Sequence, residues 1–65
     1  MLAFLAAAAF ARTGAQLATL AWLQLTWSDC QARQYTAPGY SSVVELTCEL
    51  PTKRRFIVYP DGSYL

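Results

Sequence analysis

Cys30 and Cys48 are the only thiols in this chain of 65 residues, and no histidine accompanies them. Thiols can ligate zinc, act as nucleophiles or join to each other. A structural zinc site takes four ligands, half of which would have to come from another chain, so no metal centre is expected. A cysteine or serine nucleophile needs an adjacent base, and without histidine neither Ser-His-Asp nor Cys-His activation is available. The residues therefore point to a protein that is not an enzyme, with no cofactor and no small-molecule substrate. What remains for the thiols is a disulfide. Cys30 and Cys48 stand nine positions before and nine positions after Gly39. Ala37-Pro38-Gly39-Tyr40 has Pro and Gly where a type II turn requires them, so a hairpin centred on Gly39 makes the two cysteines cross-strand neighbours. A bridge closing a loop of this length removes about 3 kcal/mol of unfolded-state entropy in the chain-entropy model, the kind of staple that so small a domain needs.

The charged residues carry less information. Asp29, Glu45, Glu49 and Asp61 cancel Arg33, Lys53, Arg54 and Arg55, which leaves Arg12 as the net charge of +1. This balance implies no polyanionic partner, and no nucleic acid is expected. Lys53-Arg54-Arg55 beside Phe56 reads as a solvated hairpin loop, with Arg54 and Arg55 near enough to Glu45 or Glu49 to pair weakly.

Strand patterns position these groups. From Ser42 to Leu50 the residues alternate, with Val44, Leu46, Cys48 and Leu50 on one face and Val43, Glu45, Thr47 and Glu49 on the other, as in a half-buried strand. Arg55–Tyr59, rich in aromatic and β-branched residues, is a second strand. Pro51–Arg54 connects the two, and Pro60-Asp61-Gly62-Ser63 is a turn signal after the second. Residues 29–65 are thus expected to form a small antiparallel β-hairpin or three-stranded meander stapled by the Cys30–Cys48 disulfide.

Residues 1–28 differ sharply: they contain no Asp or Glu and a single Arg. As a helix, Met1–Trp27 would reach roughly 40 Å, against a hydrocarbon core of about 30 Å. No basic n-region precedes the alanines, which disfavours a secretory signal, and the segment is too poor in Arg and Ser for a mitochondrial presequence. The expectation is a retained transmembrane helix over residues 1–28, with Trp27 as its membrane-interface anchor. That register starts the span near Ala8, places Arg12 one turn inside the opposite face, and leaves the apolar tip Met1–Ala7 beyond it. Arg12 then either snorkels to the headgroups or pairs with a carboxylate on a partner.

Within this helix Leu5, Ala9, Arg12, Gln16, Thr19, Leu23 and Thr26 follow alternating four- and three-residue steps and form one stripe. Ala7-Ala11-Ala15, with Gly14 and Ala18 beside them, permit close backbone approach. Arg12, Gln16, Thr19, Gly14 and Ala18 are the expected contacts to a partner helix. The disulfide favours an oxidising side for the C-terminal half. Together these features suggest a non-catalytic, single-pass accessory subunit of a multisubunit membrane complex of respiratory or photosynthetic type, whose partners are the bilayer and the other subunits. A self-associating viral or filament component, or a small regulatory or lysis-type membrane peptide, are the alternatives.

Overall fold

The computed structural model describes residues 12–65. Its elements are α1 (Gly14–Leu23), β1 (Ser28–Ala37), β2 (Tyr40–Leu50) and β3 (Arg54–Val58). The three strands form one antiparallel sheet in the order β1-β2-β3.

The expected transmembrane helix is not what forms. Thr13 is extended, with φ −74° and ψ 161°, and its hydroxyl accepts from the Gln16 N–H while the Gln16 side chain accepts from the Thr13 N–H. This reciprocal capping box starts the helix at Gly14. After Leu23 the chain turns, with the Trp27 N–H donating to the Leu23 carbonyl, and enters β1 at Ser28. Ten residues make about 15 Å of helix, half of what a bilayer core requires. No helix among the described residues is long and apolar enough to cross a membrane. The single-pass placement, with the C-terminal half outside, is thereby overturned. The apolar run was mistaken for a span because a small sheet also needs an apolar helix to close its core. Leu5, Ala9, the Ala7–Ala11 part of the small-residue ridge and the Met1–Ala7 tip lie outside the described residues.

α1 packs on one face of the sheet. Leu20 and Leu23 join Val44, Leu46, Cys48, Phe56 and Val58 in a single buried cluster, with Trp27 and Cys30 packed against it. Cys30 lies opposite Cys48 in the β1–β2 register and is disulfide-bonded to it. Pro38-Gly39 makes the tight turn, where Gly39 has the φ of +83° that a non-glycine residue resists. Leu50, at the end of β2, is 54% exposed. The opposite sheet face is not uniformly solvated, for Val43 is fully buried and Glu45 nearly so.

After β3 the chain reverses through Pro60–Ser63 and runs back along the free side of β3. The Leu65 N–H donates to the Ile57 carbonyl and the Tyr59 N–H donates to the Ser63 carbonyl. Val58 bridges Tyr64.

Candidate interaction surface

The polar stripe of α1 points at the chain's own sheet. Gln16 is fully buried, and its side-chain nitrogen donates to the carbonyls of Ser42, at 3.3 Å, and Val58, at 3.4 Å. The Thr13 hydroxyl donates to the Pro60 carbonyl at 2.7 Å and the Thr19 hydroxyl to the Gly62 carbonyl at 2.6 Å. Arg12 Nε donates to Gln34 Oε1, and the Gln34 amide donates in turn to the Ser42 hydroxyl. Arg12, Gln16 and Thr19 are thus brought together along one side of the helix. Each bond satisfies a sheet or turn acceptor that a purely apolar helix would leave bare.

Gly14 and Ala18 lie on the other side and are exposed. They belong to an outer helix face made with Leu17, Ala21 and Trp22, which Leu25, in the turn after α1, continues. Leu17 is 53% exposed, Trp22 59% and Leu25 81%. No charged side chain occurs from Thr13 to Ser28.

At its C-terminal end this face runs into an aromatic notch of about 110 Å³ lined by Trp22, Trp27, Arg54, Phe56 and Tyr64 among others. Trp27 meets Phe56 edge-on with ring centroids 5.3 Å apart, and Trp22 and Tyr64 are 6.1 Å apart. The Arg54 guanidinium lies 4.7 Å from the Phe56 ring centroid and 5.8 Å from that of Trp27. Trp27 therefore sits half-buried against the core, beneath a cation. Exposed Trp, Tyr and Arg around one depression are the residue types in which binding energy concentrates. Sequence reasoning did not single out Trp22 or Tyr64, and it assigned Arg54 to a solvated loop beside Glu45 or Glu49, whereas the guanidinium lies over Phe56 and Trp27. The only signal was an aromatic next to a basic run, and the notch requires the C-terminal segment to fold back beside α1.

The far face of the sheet carries the ion pairs. Glu45 Oε1 accepts from Arg33 Nε at 3.1 Å and Nη2 at 2.9 Å, and Arg55 Nη1 lies 3.2 Å from Oε2. Both arginine side chains are largely exposed while that of Glu45 is 10% exposed. The carboxylate thus lies under two guanidinium groups brought in from the flanking strands. Around it opens a shallow hollow of about 740 Å³, lined also by Gln31, Thr47, Lys53 and Arg54. In the turn beyond, Asp61 accepts from both the hydroxyl and the N–H of Ser63. These bonds, the hydroxyl first, hold its carboxyl below the usual carboxylate range. Among the described residues no His/Cys/Asp/Glu group has metal-binding geometry.

No family model, curated protein or solved structure matches this chain. What the geometry offers is two surfaces, one apolar and aromatic, the other cationic.

Proposed function

We propose that the chain is a non-catalytic accessory subunit of a larger protein assembly, docked onto a partner subunit through the outer face of α1. The observation that carries this reading is that α1 remains apolar on the side turned away from its own sheet. Leu17, Trp22 and Leu25 are exposed there beside Ala18 and Ala21, although Leu20 and Leu23 already fill the core. A helix that is hydrophobic all round belongs to a buried setting, and contiguous exposed apolar surface marks an interaction site. The charge pattern selects a protein over a lipid surface. Helices that lie on membranes carry Lys and Arg on their polar face, and between Thr13 and Ser28 there are none. The absence of histidine supports the non-catalytic part of the reading.

The test is purification of the affinity-tagged chain under native conditions, with the mass and composition of the complex determined. One or two copies per complex of a defined partner are expected, and Trp22→Ser with Leu25→Ser should release the partner while leaving the disulfide and the circular dichroism unchanged. A chain that purifies alone as a monomer, with Trp22 freely quenched by acrylamide, overturns the reading. A symmetric assembly of this chain alone overturns it in favour of self-association.

A further inference from the structure

The two edges of the sheet are treated differently. The β3 edge is closed by the chain itself, through Ile57–Leu65 and Tyr59–Ser63 hydrogen bonds. β1, ten residues from Ser28 to Ala37, pairs with β2 on one side and, among the described residues, with nothing on the other. It contains no Pro or Lys, two of the devices that usually blunt an edge, and its one register irregularity lies between Tyr35 and Ala37, beyond the Cys30–Gln34 stretch.

The register identifies which backbone groups this edge presents. Ile57 bonds outward to Leu65, so its neighbour Phe56 bonds inward to Leu46, its partner in β2. Leu46 is then turned away from β1, and Ala32, which faces it, must turn its own N–H and C=O outward. The same parity holds for Cys30 and Gln34. The Cys30–Cys48 Cα separation of 3.9 Å agrees, because the closer spacing belongs to pairs that do not exchange hydrogen bonds. Cys30, Ala32 and Gln34 thus offer donors and acceptors at intervals of about 6.8 Å.

Beside this edge lies the cationic hollow. Arg33, Lys53 and Arg55 bring positive charge to it against the single carboxylate of Glu45, three less one, or +2, while the Arg54 guanidinium is turned to Phe56 and Trp27 on the other face. Arg55 commits only Nη1 to Glu45 and keeps its other donors.

We infer that the free edge of β1 is a docking site for an extended acidic segment of a partner protein, added as a fourth antiparallel strand with its carboxylates toward Arg33 and the hollow. Strand addition draws affinity from the main chain and specificity from alternate side chains, and an acid opposite Arg33 makes a favourable cross-strand pair. A nucleic-acid or lipid phosphate supplies acceptors alone, whereas this edge also presents carbonyls that need donors. A second copy of β1 would bring a second hollow of +2 alongside the first. The site is separate from the α1 surface, so either can fail without the other.

The experiment is an NMR titration of the oxidised 65-residue chain with a seven-residue peptide alternating Glu and Val, beside a control with Lys for Glu. Amide shifts are expected at Cys30, Ala32 and Gln34, with binding weakened by salt. Ala32→Pro removes an outward donor without touching the β1–β2 ladder and should weaken binding about tenfold or more, as should Arg33→Glu. If Ala32→Pro disturbs folding, N-methylation of Ala32 in a synthetic chain deletes the same donor. Equal binding of the Lys control, shifts confined to Arg33, Lys53 and Arg55 with Ala32→Pro harmless, doubling of the molecular mass, or no shifts at all would each overturn the inference.

Discussion

Cys30, Cys48, Gln16 and Asp61 each make a contribution to the fold that a single measurement can read. The disulfide joins β1 to β2 across eighteen positions of sequence, so its reduction should lower the unfolding free energy by about 3 kcal/mol, read as a fall in urea midpoint with and without dithiothreitol. Gln16 makes half the capping box and donates to two sheet carbonyls. Gln16→Leu should cost about 2–3 kcal/mol in the same assay, the lost cap contributing about 1 and the stranded carbonyls the rest. Asp61 is exposed and its folded pKa is depressed. Its contribution to the turn is therefore complete above the ordinary carboxylate pKa and lost as the pH falls through the lower, folded value. The Ser63 amide shift should report this as an acid transition below the usual carboxylate range, absent in Asp61→Asn. At this scale the disulfide was legible from the symmetry of Cys30 and Cys48 about Gly39, although the Pro38-Gly39 turn itself pairs Ala37 with Tyr40, and a register shift between Tyr35 and Ala37 is what brings Cys30 opposite Cys48. The burial of Glu45 was not, since it arises from Arg33 and Arg55 on two strands that meet only in the sheet.

Among the elements, the strands were easier to read than the helix. Alternation from Ser42 to Leu50 has a period of two that no helix shares, and β2 extends it by only two residues, to Tyr40. The apolar N-terminal run lacks an amphipathic period because α1 is apolar on its outer face as well as toward the core. Hydrophobicity alone therefore reads as a membrane span. The corrective signal was Thr13-Gly14-Ala15-Gln16, a capping-box sequence that begins a helix at Gly14. The Pro60–Ser63 turn was legible as a turn, but its docking on α1 was not. A Cβ on Gly62 would lie 3.1 Å from the Cβ and carbonyl oxygen of Ala15, and the residue has φ +90°. Gly39 has φ +83° with open space around it. Gly39→Ala should cost about 1–2 kcal/mol from backbone conformation alone, and Gly62→Ala measurably more, in parallel thermal denaturation.

Across the whole molecule, the segment Arg54–Leu65 contributes Phe56 and Val58 to the core, both essentially buried, and reaches α1 through Pro60 and Gly62. It is joined to β2 only by an exposed loop, Pro51–Lys53. In effect it is a peptide ligand that happens to be tethered to its own receptor. Tryptic cleavage after Lys53 should leave the two pieces co-eluting as one native body until denaturant is added. A synthetic 54–65 peptide should then restore the tyrosine and tryptophan near-ultraviolet signal of the purified remainder, making this small fold a split protein whose reassembly can be switched on from outside.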